Sequence, residues 1–142
     1  MNQPAQDDVQ FLNAFNSCEL PLEAFGHRQH LQLAYVLLCS NPPIQTHGLV
    51  RQGLQRFLSH HGVPQVKYHE TLTAAWVMAV FHFMNQRGPF RTFDAFIEAC
   101  PELIDTRIMN THYSTEQLGS SAARLEVVAP DRAPIPAFGM LM

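Results

Sequence analysis

Basic residues are scarce in this sequence, with only 9 Lys and Arg among 142 residues and a formal net charge of −3. They form no cluster, so the basic patch with which proteins bind nucleic acids is not expected. An anionic membrane surface is not expected as a partner either. Charged residues make up 15% of the chain, against about 25% in an average protein. This low share is consistent with part of the surface being covered in a homo-oligomer.

Cysteines are few and widely spaced, at Cys18, Cys39 and Cys100, and no Cys-x-x-Cys pair occurs. Each lies in or beside an apolar segment, which predicts buried free thiols in a reducing compartment. The first eight residues, MNQPAQDD, lack the basic and apolar segments of a secretory signal. These features together predict a cytoplasmic protein.

Several common catalytic motifs are also missing. The sequence contains no glycine-rich phosphate loop, no Gly-x-Ser-x-Gly and no dinucleotide-binding fingerprint. Alternation of apolar and polar residues, typical of strands, does not recur, whereas apolar residues recur with helical spacing in every long segment. We therefore predict an all-α single domain over residues 1–142, a bundle of five to seven helices. Residues 1–6 are predicted to be a loose leader, and residues 130–142 a proline-rich tail across the surface or on a partner.

The longest apolar run, from Tyr68 to Met84, predicts the central helix of this bundle. It is apolar nearly all round, which is typical of a helix that other helices surround. It is too short, and too interrupted by His82, to predict a membrane span of about 20 apolar residues. On a helical projection His69, Leu72, Thr73 and Trp76 share one face, opposite Ala74, Ala75 and Met78. If Trp76 lies in the core, its replacement by Ala is expected to cost about 3–5 kcal/mol.

Three of the eight histidines are predicted to face inward. His27 and His30 are three apart and continue an apolar stripe, and His69 opens the central helix. Imidazoles that converge in a helical bundle suit Zn, Fe, Cu or Ni, so His27, His30 and His69 are candidate metal ligands. Glu70 and Glu23 are candidate catalytic bases or partners of a ring nitrogen. For Glu23, this requires that the helix runs unbroken from Glu23 to His30.

The remaining polar residues fall into two groups. Thr73 and Trp76 lie near His69 and are candidate substrate-binding residues, and Arg124 could clamp a carboxylate or phosphate. The other group, His47, His60 and His61, lies on the polar side or end of the predicted third helix, about Ile44 to Leu58, and is expected to be solvated.

Three functions follow from these candidates. The leading hypothesis is a metal-dependent enzyme that acts on a small molecule. The second is a non-catalytic binding or carrier protein that uses the same pocket. The third is an interaction protein whose histidines are purely structural, serving as caps and hydrogen-bond partners. Metal content separates the first hypothesis from the third.

Two motifs, Phe25-Gly26-His27-Arg28-Gln29-His30-Leu31 and Tyr68-His69-Glu70-Thr71, together resemble a group of small bacterial helical proteins. The segment from Tyr113 to Arg124 extends the likeness. The resemblance implies a helical fold for this chain and carries no activity over to it.

Overall fold

The computed structural model describes residues 4–141, within which the chain forms helices and loops and no strand. The seven α-helices are α1 (Gln6–Asn16), α2 (His27–Leu38), α3 (Pro43–His60), α4 (Glu70–Arg87), α5 (Phe93–Ala99), α6 (Thr115–Leu118) and α7 (Ser121–Leu125). Short 3₁₀ turns cover Leu22–Ala24, Gln65–Lys67, Pro101–Ile104, Thr106–Thr111 and Phe138–Leu141. The buried apolar side chains form one continuous core, which confirms the predicted all-α bundle. None of the helices described is long and apolar enough to cross a membrane.

Helix α4 lies at the centre and packs against α2, α3 and α7. It begins at Glu70, two residues later than predicted, because the Nδ1 atom of His69 accepts a hydrogen bond from the Leu72 N–H and caps the helix. Tyr68 and His69 are therefore extended, and α4 continues to Arg87, just before Gly88. This cap fixes His69 at the point where the chain enters the core.

Helix α2 begins at His27, and the residues before it do not continue it. Glu23 lies in the 3₁₀ turn Leu22–Ala24, and Gly26 is extended, with φ −108° and ψ −164°. The grouping of Glu23 with His27 and His30 required one unbroken helix through all three residues. The chain does not form that helix, so the grouping fails. The physical cause is Gly26, whose backbone N–H is bound by the Gln29 side chain in a cap that starts α2 afresh.

A cluster of three phenylalanines joins α1, the loop before α2, and α3. The Phe15, Phe25 and Phe57 rings pack in a triangle, with each pair of ring centroids 5.1 or 5.2 Å apart. Gly53 makes this approach possible, since a Cβ atom there would lie 2.7 Å from Cε2 of Phe15. The absence of a side chain at Gly53 thus leaves the space that the Phe15 ring occupies, and the other two rings pack against Phe15.

The C-terminal part is built from short pieces. Residues 114–125 form two helices, because Ser114 caps α6 through the Gln117 N–H and Ser120 caps α7 through the Ala123 N–H. The proline-rich tail is packed into the molecule, with Ile135 and Phe138 buried in the core. Met142 and residues 1–3 of the predicted leader lie outside the described residues, and α1 already begins at Gln6.

The three cysteines are free and buried, as predicted. Cys39 follows α2 and Cys100 follows α5, and both belong to the main core. Burial is the largest cause that raises the pKa of the Cys39 and Cys100 thiols above their ordinary values. Both thiols are therefore protonated and act as small apolar side chains in the core.

Candidate functional site

A pocket of about 420 Å³ lies between α2, α3 and the first half of α4. Its volume is within the range of about 300–1,000 Å³ that is usual for small-molecule sites. Most lining residues are apolar: Leu22, Phe25, Ala34, Val50, Leu54, Phe57, Leu58, Leu72, Trp76 and Val77. The polar or small ones are Gly26, His27, His30, Lys67, Tyr68, His69 and Thr73. The structure therefore brings five sequence-predicted site residues together: His27, His30, His69, Thr73 and Trp76.

His69 uses both ring nitrogens to hold the fold. Nδ1 accepts from the Leu72 N–H at 3.1 Å, so the ring proton is on Nε2, which donates to the Leu118 carbonyl at 2.7 Å. The ring is neutral in this arrangement, and neither nitrogen has a lone pair left for a metal ion. A bound metal would have to displace the cap of α4.

His27 and His30 each form a hydrogen bond with a backbone carbonyl through one ring nitrogen, and the other ring nitrogen is not used in this way. Nε2 of His27 donates to the Leu103 carbonyl at 2.8 Å, and Nδ1 of His30 donates to the Gly26 carbonyl at 3.0 Å. Because a carbonyl oxygen only accepts, each of these nitrogens carries the proton, and the other nitrogen of each neutral ring is an acceptor. The described residues offer no hydrogen-bond partner to Nε2 of His30.

The surroundings of His30 favour its neutral form. The ring is exposed to water in the pocket, yet Phe25 lies against it with ring centroids 4.4 Å apart. Desolvation is the largest cause that lowers the pKa of His30, and His27 acts in the same direction, although the hydrogen bond with Gly26 opposes them. At neutral pH, His30 therefore presents an uncharged acceptor nitrogen to the pocket.

Ligand groups for a metal ion are not assembled at this pocket. Within residues 4–141, no three or more side chains of His, Cys, Asp or Glu are placed to hold one ion. The ring nitrogens that still have a lone pair belong to His27 and His30, because both ring nitrogens of His69 form hydrogen bonds with the backbone. Two nitrogens alone do not provide the three protein ligands that are usual for catalytic zinc.

Glu70, a candidate base, belongs to a polar network behind the pocket. Its Oε1 accepts from the Tyr68 hydroxyl at 2.5 Å and contacts Nε2 of His47 at 3.2 Å, and its Oε2 accepts from Arg51 at 2.8 Å. Burial acts to raise the pKa of Glu70, but Tyr68, His47 and Arg51 outweigh it and lower the pKa. A carboxylate held by three donors is a weak base, and its contact with the pocket runs only through Tyr68.

His47 corrects the expectation that it is solvated. It lies in α3 one turn before Arg51, and its side chain is buried against Glu70. Desolvation is the main cause that lowers its pKa, Arg51 adds to it, and Glu70 opposes both. His47 and Arg51 are four residues apart, so they lie on one face of α3 and can contact the same residue. That residue, Glu70, lies in another helix, α4.

Two other candidates lie away from the pocket lining. Glu23 is exposed in the 3₁₀ turn Leu22–Ala24, so it is not placed to act as the predicted base. Arg124 is exposed in α7, and its guanidinium donates to the Val66 carbonyl at 3.3 Å. Arg124 therefore contributes to the rim beside the turn Gln65–Lys67, and it does not line the pocket.

Lys67 is a pocket residue that the sequence patterns did not single out. It is exposed at the end of the turn Gln65–Lys67, directly before Tyr68, and it is the only lysine in the chain. Trp76, half-buried in the same lining, is the only tryptophan, and its ring lies edge-on to His27 at 4.5 Å. The one sequence feature that distinguishes Lys67 is that it is the single lysine, and this feature by itself predicts no function.

No protein-family model, curated protein or solved structure matches this chain. The site is therefore assigned from its own geometry. Its features are apolar walls, histidines held mainly by backbone carbonyls, an acceptor nitrogen on His30, and a lysine at the edge.

Proposed function

We propose that the protein binds a small, mainly apolar organic molecule in the pocket between α2, α3 and α4, and that it needs no metal to do so. The observation that carries this proposal is the pocket itself, an apolar recess of about 420 Å³ with a few polar groups. Such a combination of apolar walls and sparse polar atoms is the usual form of a small-molecule site. This is the binding or carrier function among the three that the sequence left open.

The polar groups support binding more than catalysis. His69 is occupied as a helix cap, and the Thr73 hydroxyl donates to the His69 carbonyl at 2.8 Å. Glu70 is ionised and held by Arg51 behind the pocket, so it provides no strong base to a ligand. Nε2 of His30 remains as an acceptor, suited to an N–H or O–H group of the ligand.

The aromatic walls support the apolar character of the ligand. Phe25 and Phe57 lie 5.1 Å apart and are backed by Phe15, so this wall is fixed before any ligand enters. Trp76 forms another part of the lining. A preformed pocket of this kind avoids the cost of ordering side chains when a ligand binds.

Trp76 allows the proposal to be tested with its own fluorescence. Tag-free protein is titrated with a panel of small apolar molecules, and saturable changes in tryptophan emission are the expected result. Leu72→Phe, which places a larger side chain in the pocket, should weaken these responses. Leu37→Phe is the matched control, because Leu37 is a half-buried leucine in α2 outside this pocket. Equal responses in both variants, with each correctly folded, would contradict the proposal.

Elemental analysis of the same tag-free protein tests the metal-dependent enzyme. Under the present proposal, metal is substoichiometric, and His27→Ala and His30→Ala do not change its amount. One equivalent of Zn, Fe, Cu or Ni that is lost in His27→Ala, His30→Ala and His69→Ala alike would overturn the metal-free assignment. Circular dichroism of each variant shows whether the helices are retained.

A further inference from the structure

The charged residues around the pocket are distributed unevenly. The lining includes one lysine, Lys67, and no Asp or Glu. Arg124 lies on the same rim, since its guanidinium reaches the carbonyl of Val66, the residue before Lys67. Lys67 in the turn and Arg124 from α7 thus place two cationic side chains beside an apolar recess.

These cations are not neutralised by neighbouring carboxylates. Within residues 4–141, none of the ion pairs involves Lys67 or Arg124. The acid nearest to Lys67 in sequence, Glu70, is paired with Arg51 and bonded to Tyr68 and His47, and the acid nearest to Arg124, Glu126, forms none of these ion pairs. Within the described residues, the positive charge at this rim is therefore not paired with a carboxylate.

We propose that the ligand is an organic monoanion, a carboxylic acid with an apolar body, whose carboxylate lies at Lys67. This inference rests on the proposed function and names the class of molecule that the pocket selects. A carboxylate would gain a charge-assisted hydrogen bond from Lys67, a neutral analogue would not, and an ammonium group would be repelled. The apolar body then lies against the Phe25 and Trp76 walls.

His30 fixes the direction of the ligand. At neutral pH its free Nε2 is an acceptor, so a carboxylate placed against it would meet another electron pair. The charged end is therefore expected at Lys67, and a hydroxyl or N–H group on the body would be the group that His30 binds.

Three probes of similar shape and different charge test the ligand class: 3-phenylpropanoate, 3-phenylpropanol and 3-phenylpropylammonium. Affinity is measured by the fluorescence of Trp76. The anion is expected to bind about fivefold to tenfold more tightly than the alcohol, as for one partly exposed charge-assisted contact, and the ammonium most weakly. Raising the ionic strength should reduce the preference for the anion.

Substitution of Lys67 tests the position of the carboxylate. Lys67→Met should remove the preference for the anion and leave affinity for the alcohol unchanged, whereas Lys67→Arg should retain it. Arg91→Met is the matched control, because Arg91 is exposed and does not line the pocket. Since Lys67 is exposed, its replacement is not expected to disturb folding.

The single lysine provides a second, independent readout. Reductive methylation with ¹³C-formaldehyde labels Lys67 and the N-terminal amine, and the NMR signal that is absent from Lys67→Met is that of Lys67. The carboxylate should move the Lys67 signal saturably, while the alcohol should not.

The outcomes separate the two proposals. Equal binding of all three probes, or tightest binding of the alcohol or ammonium, would overturn the anion class and leave the binding function intact. Binding of the anion that Lys67→Met does not affect would overturn the role of Lys67. Absence of any response to all three probes would overturn both proposals.

Discussion

Two faces of helix α4 have similar apolar sequences and different surroundings. The sealed face, formed by Thr71, Ala74, Ala75 and Met78, is completely buried. The pocket face, formed by His69, Leu72, Thr73 and Trp76, is half-buried and lines the pocket. Both sets follow the i, i+3, i+4, i+7 spacing of a helix stripe. The difference shows that the neighbours of a helix, and not its own apolarity, decide which face closes and which stays open for a ligand.

The largest expected effect contrasts Met78 on the sealed face with Trp76 on the pocket face. Met78→Ala should reduce the free energy of unfolding by about 2–5 kcal/mol, since it leaves a cavity in a packed core. Trp76→Ala should cost only about 1–2 kcal/mol, although it removes more atoms, because part of the side chain already faces the open pocket. This is less than the 3–5 kcal/mol expected from the sequence.

Urea denaturation followed by circular dichroism measures both changes without depending on tryptophan emission. Leu72→Ala provides a second pocket-face control. If Trp76→Ala lowers the free energy of unfolding as much as Met78→Ala does, the pocket face is packed as tightly as the sealed face. That result would contradict the difference between the two faces.

A smaller effect is expected from the two threonines, which lie two residues apart in α4. Thr71 donates to the Glu126 carbonyl at 2.7 Å and accepts from the Val128 N–H at 3.1 Å. Thr71→Val should cost about 1–3 kcal/mol, because it leaves backbone groups of the C-terminal segment unpaired in a buried place. The Thr73 hydroxyl donates to the carbonyl of His69, the residue that caps its helix, and the side chain is not completely buried, so Thr73→Val should change stability by about 0.5 kcal/mol or less.

Amide hydrogen exchange gives the sharper readout for Thr71. Faster exchange of the Val128 amide in Thr71→Val, and unchanged exchange in Thr73→Val, is the expected pattern. Equal stability of the two variants would show that the C-terminal segment does not depend on Thr71 for closing the sealed face.

The smallest effect concerns the wall behind the pocket. Gly53→Ala should destabilise the protein by about 1–2 kcal/mol, because its Cβ would lie 2.7 Å from the Phe15 ring in the cluster with Phe25 and Phe57. Gly48→Ala in the same helix meets only Arg51 at 3.9 Å and should gain about 0.5–1 kcal/mol from helix propensity. Thermal unfolding of both variants is the test, and a gain for Gly53→Ala would show that the wall is loosely packed.

The sequence was sufficient to predict the central helix and its two faces. Helical spacing grouped His69 with Trp76 and opposed them to Met78, and the structure keeps these groups. The spacing of His27 and His30 likewise grouped the two on one side of α2, and both line the pocket, although His30 is exposed and does not face inward as predicted. These groupings succeeded because they depend on the regular geometry of one helix.

The sequence was not sufficient where contacts join distant segments. The partners of His69 and His27 are the carbonyls of Leu118 and Leu103, and no local pattern indicates them. The burial of His47 depends on Glu70, which lies in another helix. The C-terminal segment determines which face of α4 is sealed. Its helices are short and it is rich in proline, so its apolar residues show little helical periodicity.

The most direct measurement is the indole N–H signal of Trp76 in a ¹H–¹⁵N NMR spectrum during titration with 3-phenylpropanoate. One tryptophan gives one indole signal, so no assignment is needed. A saturable shift that Leu72→Phe suppresses and Leu37→Phe preserves is the predicted result. An indole signal that stays in place throughout the titration would contradict the claim that the pocket face of α4 is open to a small molecule.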